Sequence, residues 1–282
     1  MIVLIGGTGT LGKELARQLV GENITIFSRD EQKQQAMKRD FPNCRYIIGD
    51  VRDKDSILAA TKGAKVVFLL AAMKHIDVVE ANPFEAIKTN VLGAVNVAEA
   101  CEANGVQYCL YSNTDKAVLP ITTYGYTKAL AQDYLLSRNK VQSEVSYSAY
   151  NWGNVLMSNG SAVNFFADCI RKGLSVPLTH MDMSRFWITI EHAVSFMLAN
   201  FRYASKTSAM IPPIKAAKVY RIINAIADVI GKPAKIEIVG MRGIEKMYEV
   251  LESNHSGCLR SDTCEQYSDE ELRELLRGVV HA

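Results

Sequence analysis

Short apolar runs alternate with longer amphipathic stretches in the first half of this chain of 282 residues. An apolar run that is bounded by turn residues is typical of a strand buried on both faces, and the stretches between the runs have helical spacing. Regular alternation of strand and helix predicts an α/β fold with a doubly wound parallel sheet. The predicted strands are 2–5, 23–27, 45–48, 65–70, 106–111 and 141–150.

Shorter and more mixed elements follow beyond residue 150. We therefore predict a Rossmann-like domain over 1–152, which parts of 185–211 could join, and a smaller C-terminal substrate lobe over 153–282. The predicted helices are 13–21, 53–61, 84–104, 161–173, 190–203, 218–230 and 269–277. Short strands are predicted over 175–178, 185–188, 208–211 and 235–239, and an irregular surface segment over 253–268.

Composition narrows the class of protein but not its chemistry. Apolar residues make up 48% of the chain and charged residues 22%, as in ordinary globular proteins. The net charge of +2 gives no reason to expect a nucleic acid or a membrane as partner. No apolar stretch reaches the roughly 18 residues of a membrane span, and the N-terminal run lacks the basic flank of a signal peptide. We therefore expect a cytoplasmic protein.

Cysteine spacing argues against a metal or disulfide framework. The six cysteines include no Cys-x-x-Cys pair, so neither a zinc site nor a set of disulfides is predicted. We expect reduced cysteines, most of them buried, and no metal.

A glycine-rich turn separates the first strand from the first helix. Its sequence is Gly-Gly-Thr-Gly-Thr-Leu-Gly over residues 6–12. Such a turn lets the backbone approach a pyrophosphate, and the N–H groups at the helix start then face the anion. The pattern is weak alone but informative between a strand and a helix; a plain glycine-rich turn is the alternative. The predicted dinucleotide contacts are Gly6, Thr8, Gly9, Thr10, Leu11 and Gly12.

The end of the second strand indicates which dinucleotide binds. An NAD site usually has an acidic residue there to hold the ribose 2′-hydroxyl. Here Ser28 and Arg29 follow the strand, and Lys33 comes one helical turn later. We therefore predict NADP, with NAD less favoured, although Asp30 and Glu31 oppose this interpretation. The alternative is an exposed helix start with mixed charges.

Further cofactor contacts are predicted at the ends of the next two strands. Asp50 follows the third strand, where it could meet the adenine amino group or cap the next helix. Small residues after the fourth strand let a dinucleotide pass closely, and the polar residues after them lie at the carboxyl edge where open parallel sheets bind ligands. The additional predicted contacts are Val51, Ala71, Ala72, Lys74 and, in the helix predicted over 84–104, Asn90.

The exit of the fifth strand has the reactive side chains. Tyr124 and Lys128 are four residues apart, which puts them on one helical face. A tyrosine pKa of about 10 makes a poor base at neutral pH, but an ammonium and a cationic nicotinamide ring would favour phenolate. Phenolate can take the proton of a sugar hydroxyl while hydride leaves the carbon. Thr114 is a natural hydrogen-bond partner of that hydroxyl.

Asp115 and Lys116 suggest a second proton transfer. Once a sugar C4 is a ketone, the C5 hydrogen is acidic. A base can remove it while an acid protonates the departing C6 hydroxyl, so water is lost. Such roles would need a lowered lysine pKa and a raised aspartate pKa. The alternative is a loop salt bridge.

These motifs resemble the extended short-chain dehydrogenase/reductase superfamily and, within it, the UDP-N-acetylglucosamine 4,6-dehydratases that make precursors of flagellin and surface glycans. The similarity spans roughly residues 1–252. The segments concerned are 6–12, 26–30, 49–53, 73–75, 82–93, 114–117, 124–128, 153–155, 160–161, 165–166, 185–189 and 245–246.

The resemblance implies a role for each matching residue. Asp115 would be the catalytic acid, Lys116 the C5 base and Tyr124 the base for the C4 hydroxyl, while Lys128 would hold the nicotinamide ribose. Arg185 and Arg242 suit a diphosphate because guanidinium forks match phosphate oxygens; surface salt bridges are the alternative. A UDP-sugar substrate and a homo-oligomer are also implied. The full set of substrate contacts is Met73, Lys74, His75, Asn154, Val155, Ser161, Thr179, Arg185, Arg242 and Glu245.

The chain departs from the family pattern where the sugar nucleotide is expected to bind. Because the reaction residues match, the departures concern which sugar binds. They are Asn113 for serine, Asn151 and Asn159 for arginine, Gly243 and Ile244 for Pro-Gly, and Tyr248 for histidine.

Two other functions compete with the dehydratase. A UDP-sugar 4-epimerase on the same scaffold would not need Lys116. An NADP-binding redox-sensor protein without turnover should lack the Tyr124 and Lys128 pair, which this chain has.

Overall fold

The computed structural model describes residues 1–141, 144–156, 158, 160–203, 208–254 and 257–280. They form two compact units. Unit 1 is Met1–Asn151 with Val194–Ile211, and unit 2 is Trp152–Ala193 with Pro212–Ala282. Asn159, one of the departures from the family pattern, lies outside the described residues.

Unit 1 contains a six-stranded parallel sheet with strand order β3-β2-β1-β4-β5-β6. The predicted doubly wound α/β fold is therefore confirmed. The order reverses between β1 and β4, and ligands of such sheets bind at that point, beyond the carboxyl ends of the strands. The strands are β1 (Ile2–Ile5), β2 (Ile24–Ser28), β3 (Arg45–Ile48), β4 (Val66–Leu69), β5 (Tyr108–Ser112) and β6 (Ser146–Tyr150).

Helices pack on this sheet and bury its apolar strands. Val3, Leu4 and Ile5 of β1 are fully buried, as expected for a strand covered on both faces. The helices of the N-terminal segment are α1 (Thr10–Gln18), α2 (Glu31–Asp40), α3 (Lys54–Thr61), α4 (Ile76–Ala81), α5 (Pro83–Ala86), α6 (Gly93–Ala103) and α7 (Thr123–Arg138).

The segment predicted as one helix over 84–104 is interrupted. Ile87–Leu92 forms a π-helical turn between α5 and α6, and α4 precedes them without having been predicted. A π-turn has one more residue per turn than an α-helix and is frequent at functional sites. Here it turns the side chain of Asn90 inward, where only 2% of the residue is exposed.

Aspartates start α2 and α3. The Asp30 side chain accepts a hydrogen bond from the backbone N–H of Lys33, and Asp53 accepts from the N–H groups of Asp55 and Ser56. Each carboxylate satisfies a helix N–H that has no partner within the helix. The suggestion that Asp50 caps the helix after β3 is therefore wrong, because Asp53 does so.

The described residues of unit 2 form three small sheets and have an apolar core of their own. The strands are β7 (Asn154–Val155), β8 (Ser175–Leu178), β9 (Ser184–Ile188), β10 (Lys215–Lys218), β11 (Lys235–Ile238), β12 (Val250–Asn254) and β13 (Gly257–Arg260). The sheets have orders β10-β9-β7, β11-β8 and β12-β13. The remaining helices of the chain are α8 (Ala162–Arg171), α9 (Ile190–Asn200), α10 (Val219–Ile230) and α11 (Asp269–Val280), with a 3-10 turn at Phe201–Tyr203.

Three elements of the C-terminal half of the chain differ from the predictions. Strands β12 and β13 form an antiparallel hairpin where an irregular segment was predicted, and β10 was not predicted. Residues 208–211 contribute only a single bridge, between Tyr150 and Met210. Short strands whose partners are distant in sequence leave little periodic signal.

Among the described residues, no helix is both long and apolar enough to cross a membrane. The six cysteines are free, and three of them are buried: Cys101, Cys109 and Cys169.

Candidate active site

The glycine-rich turn packs so closely that side chains are excluded. Gly6 has a φ of +83°, and a Cβ there would lie 2.6 Å from the backbone nitrogen of Ala71. A Cβ on Gly12 would collide with the carbonyl oxygen of Gly7. Gly9 is the N-cap residue of α1, so no side chain caps this helix, and its first turn has no acidic residue. This is the arrangement that a pyrophosphate requires.

The residues predicted to bind the 2′-phosphate lie at the end of β2 and the start of α2. The Arg29 side chain is 58% exposed and lies 3.6 Å from the Asp50 carboxylate. Lys33 pairs with Asp30 at 3.3 Å. Ser28 is buried, and its hydroxyl accepts a hydrogen bond from the Gln34 amide at 3.0 Å. Arg29 and Lys33 are thus the exposed cations of this edge.

Asp50 is held by arginines. Its carboxylate accepts a hydrogen bond of 2.6 Å from Arg52, which also pairs with Glu85 at 2.8 Å. Burial alone would raise the pKa of Asp50, but the hydrogen bonds and charge of Arg52 lower it overall. The next predicted contact, Val51, is buried, and its methyl groups lie where a Cβ on Gly93 would be.

Asn90 clamps the backbone that leaves β4. Its carbonyl oxygen accepts from the Met73 N–H at 2.8 Å, and its amide donates to the Met73 carbonyl at 3.1 Å and to Thr127 Oγ1 at 3.0 Å. The structure thus shows Asn90 fixing the 71–75 loop to α7. Its predicted contact with a cofactor stays a prediction.

The remaining residues of this loop are accessible. Ala71 and Ala72 are half-buried, while Lys74 and His75 are exposed. The protein around the Lys74 ammonium nevertheless desolvates it and lowers its pKa. His75 stands at the N-cap position of α4 without a side-chain cap bond.

Thr114, Asp115 and Lys116 form one hydrogen-bonded cluster after β5. The Thr114 hydroxyl donates to Asp115 Oδ1 at 3.0 Å, and the Lys116 ammonium donates to the same oxygen at 3.0 Å. The side chain of Asp115 is fully buried, and that of Lys116 is 22% exposed. The salt bridge considered from sequence is present, and it lies in the site rather than on an exposed loop.

Helix α7 brings Tyr124 to this cluster. Its first turn packs against the Lys116 backbone, because a Cβ on Gly125 would collide with the Lys116 carbonyl oxygen. Burial raises the pKa of the Tyr124 phenol, whereas the Lys116 charge and a hydrogen bond with Thr114 lower it. Lys116 is thus a cation that lowers the pKa of this phenol; the same role suggested for Lys128 stays a prediction.

Lys128 is buried behind the strand. Its ammonium donates to the Ser112 carbonyl at 2.7 Å and lies 4.0 Å from the centre of the Tyr111 ring. Only 4% of the residue is exposed. Burial lowers the pKa of Lys128 to about 7.

The free energy of unfolding should therefore depend on pH through Lys128. Between the folded pKa of about 7 and the ordinary pKa of 10.5, Lys128 is protonated in the unfolded chain but largely neutral in the folded protein. The free energy of unfolding therefore rises with pH in this window. Below it, Lys128 is charged in both states, and the cost of burying that charge no longer changes with pH. From pH about 7 to about 9, we expect the wild type to gain on Lys128→Met by up to about 1.4 kcal/mol per unit. Urea unfolding of both proteins measures this, and parallel pH profiles would contradict it.

A second polar cluster lies in unit 2. Thr179 donates to Glu245 at 3.3 Å, and the Arg242 guanidinium donates to the same carboxylate at 3.0 Å. The Arg242 side chain is 60% exposed. These three predicted substrate contacts are thus brought together.

Arg185 is buried rather than part of a surface salt bridge. Its guanidinium donates to the Ser184 carbonyl at 2.7 Å and lies 3.9 Å from the buried carboxylate of Glu249. Lys246 lies 3.4 Å from the other oxygen of Glu249. One carboxylate thus faces two cations.

The other predicted substrate contacts of unit 2 lie on β7 and just before α8. Asn154 and Val155 are half-buried in β7, and Ser161 precedes α8 without a cap bond. Two of the residues that depart from the family pattern are buried at the ends of neighbouring strands. Asn113 follows β5 and donates to Gln132 at 2.6 Å, and Asn151 follows β6.

Sequence reasoning missed Glu80, Gln132 and Glu249. Their partners are 43, 19 and 64 residues away along the chain, from Thr123, Asn113 and Arg185 respectively. A single polar residue in a helix, or just before a strand as Glu249 is, does not reveal such a partner. Only the Asn-Pro pair after Glu80 marked the end of its helix.

The sheet has the strand order of the extended short-chain dehydrogenases/reductases. As in that class, the helix after the fifth strand carries a tyrosine and a lysine four residues apart, here Tyr124 and Lys128. Among solved structures, Pen from Bacillus thuringiensis is similar to this chain with a TM-score of 0.91 and 30% sequence identity, covering 98% of this chain and 97% of that one.

The chain belongs to the polysaccharide biosynthesis protein family, which it matches over residues 2–269. It is 40% identical over 263 residues to a UDP-N-acetylglucosamine 4,6-dehydratase (inverting) of Campylobacter jejuni, covering 90% of this chain and 77% of that protein. It is 32% identical over 277 residues to a UDP-glucose 4-epimerase of Rickettsia canadensis, covering 94% and 81%. The resemblance noted from sequence is thus confirmed.

Proposed function

We propose that this protein is an NADP-dependent 4,6-dehydratase that converts UDP-N-acetylglucosamine or a similar UDP-sugar to a 4-keto-6-deoxy sugar nucleotide. The observation that carries this proposal is the run of contacts from the Tyr124 phenol through Thr114 to Asp115 and Lys116. It joins a base for oxidation to an acid and a base for elimination. The similarity to the Campylobacter dehydratase supports the same reaction and substrate.

The residues of unit 1 fit a dinucleotide. The uncapped start of α1 and the close-packed glycines suit a pyrophosphate, and Arg29 with Lys33 suits a 2′-phosphate. Lys128 is the proposed partner of the nicotinamide ribose. Such a cofactor, when bound, supplies reversible hydride removal, from C4 and back to C6. We propose that unit 2 holds the UDP group, with Arg185 and Arg242 at the diphosphate.

Tyr124 acts first in the proposed mechanism. Its phenolate takes the proton of the C4 hydroxyl as that carbon is oxidised, and Thr114 orients the same oxygen. The Lys116 charge favours phenolate, since it lowers the pKa of the phenol against the effect of burial.

Elimination follows at the ketone. Transfer of one proton from Lys116 to Asp115 across their 3.0 Å contact gives a neutral amine and a protonated acid. The neutral Lys116 then removes the C5 proton, which the C4 carbonyl has made acidic. Asp115 gives its proton to the C6 hydroxyl, which leaves as water. C5 later takes a proton back from the Lys116 ammonium. The Lys116 side chain is 22% exposed, so this ammonium can exchange its protons with solvent and deliver deuterium to C5.

Incubation with UDP-N-acetylglucosamine in deuterated water tests the function. Loss of water with deuterium at C5, seen by mass spectrometry and NMR, is the expected result, and the NMR couplings give the C5 configuration. Unchanged mass with an inverted C4 would instead show an epimerase, the activity named for the Rickettsia relative. No turnover across a panel of nucleotide sugars would favour the redox sensor. The cytoplasmic location and homo-oligomer stay predictions.

Cofactor preference can be tested at Arg29. We expect Arg29→Ala to weaken NADP binding about tenfold or more, because one charged hydrogen bond to a phosphate is lost, and to leave NAD binding unchanged. Calorimetric titration of cofactor-free protein measures both affinities. Arg39→Ala, at an exposed position in the last turn of α2, the helix that follows Arg29, is the matched control. Equal weakening for NAD and NADP would contradict the assignment.

A further inference from the structure

A carboxylate from α4 holds the first turn of α7. Glu80 Oε2 accepts a hydrogen bond from the Thr123 hydroxyl at 2.9 Å, and its Oε1 lies 3.4 Å from the backbone nitrogen of Tyr124. Thr123 and Tyr124 are the first two residues of α7, whose N–H groups have no partner within the helix. The helix dipole favours a negative charge at this end.

The peptide groups of Tyr124 are thus held on both sides. At the carbonyl of Tyr124, the Thr127 hydroxyl donates a hydrogen bond of 2.9 Å. The Asn90 amide in turn donates to the oxygen of the Thr127 hydroxyl at 3.0 Å. Glu80 holds the N–H side, and Asn90 holds the C=O side through Thr127. Few backbone movements of Tyr124 leave both sets of bonds intact.

The ring itself lies in an apolar setting from the same elements. Tyr124 packs in a cluster with Val79 and Ala86, against which Met73 and Ile76 also pack. Val79 directly precedes Glu80 in α4. One short helix therefore supplies both the apolar contact for the ring and the polar contact for its backbone.

We propose that Glu80 is a positioning residue for Tyr124: it fixes the start of α7 and thereby sets the phenol oxygen against the reacting hydroxyl. This inference rests on the proposed function in one respect, that Tyr124 is the base. Placement matters because a misplacement of about 1 Å can lower a rate roughly 100-fold. Glu80 itself touches neither substrate nor cofactor in this proposal.

Kinetics of Glu80 variants test the inference. We expect Glu80→Ala to lower kcat about tenfold with KM within about twofold, because chemistry rather than binding depends on the phenol position. Glu80→Gln should restore most of kcat, since its amide can still bond to the Thr123 hydroxyl and the Tyr124 N–H. Glu99→Ala, which removes an exposed ion pair with Lys54, is the matched control and should behave as wild type.

A double-mutant cycle checks the contact. Thr123→Val removes the hydroxyl that Glu80 binds, so we expect the Glu80→Ala and Thr123→Val double variant to lose little more kcat than either single variant. Additive losses would overturn the inference, as would a wild-type kcat in Glu80→Ala. Thr123→Val and Glu80→Gln keep the test usable if Glu80→Ala does not fold.

A readout without turnover separates this inference from the proposed function. In protein labelled with 13C-tyrosine, the Tyr124 signal is assigned by its loss in Tyr124→Phe. We expect this signal to shift in Glu80→Ala and to return in Glu80→Gln, while the exposed Tyr126 stays unchanged. An unmoved Tyr124 signal in Glu80→Ala would overturn the positioning role. If the Tyr124 signal shifts in Glu80→Ala as expected but the wild type turns over no nucleotide sugar, the proposed function alone is contradicted.

Discussion

Tyr124→Phe is expected to lower kcat by a factor of about 10² to 10⁴, the usual contribution of a general base. The variant should remain as stable as the wild type, because the phenyl ring still fills the cluster with Val79 and Ala86 and only the bond with Thr114 is lost. Oxidation precedes elimination in the proposed mechanism, so both hydride transfer and water loss should fail. Mass spectrometry of the sugar nucleotide and thermal unfolding measure the two expectations.

The matched control for this variant is Tyr126→Phe. That tyrosine lies two positions further along α7 and is 59% exposed, so its hydroxyl should be dispensable. A Tyr124→Phe enzyme within threefold of wild-type kcat would remove the phenol from the proposed mechanism, on the scale of the general-base effect above.

Lys116→Ala should separate the two halves of the reaction. We expect water loss to fall by about 10² to 10⁴, because the C5 base is absent, while oxidation at C4 continues more slowly. Reduced nicotinamide should then accumulate in a single turnover, seen as its near-ultraviolet absorbance. Deuterium uptake at C5 should disappear together with water loss. The slower oxidation follows because Lys116 also lowers the pKa of the Tyr124 phenol.

Lys54→Ala is the matched control for the loss of a lysine charge, since its side chain is 55% exposed and pairs with Glu99 on the surface. Dehydration at the wild-type rate by Lys116→Ala would show that another group removes the C5 proton. Accumulation of a 4-epimer by the wild type would instead support the epimerase alternative.

The sheet could be predicted because its strands, apart from the edge strand β3, are buried on both faces. Burial of that kind gives continuous apolar runs, such as Val3–Ile5, that glycine or charged residues interrupt. The proximity of Thr114, Asp115 and Lys116 to Tyr124 could be predicted for a similar reason, since a strand exit and one helical turn separate them. The sequence spacing of reactive side chains is therefore enough to predict that they lie close together when they are near one another along the chain.

Features that depend on distant partners could not be read in this way. The burial of Arg185 depends on Glu249, which is 64 residues away. The hydrogen bond from Lys128 to the Ser112 carbonyl, 16 residues away, was likewise not predicted. Each case is a competition between polar partners that spacing alone does not decide.

The π-turn at Ile87–Leu92 makes the length of this segment as important as its sequence. Each residue of a regular helix advances the side-chain direction by about 100°, and the π-turn holds one extra residue. Removing one residue would either rotate Asn90 away from Met73 and Thr127 or move Gly93 off Val51, where a Cβ has no room. In the evolution of this chain, substitutions can accumulate between Asn90 and Gly93, but the insertion or deletion of a single residue there should be selected against.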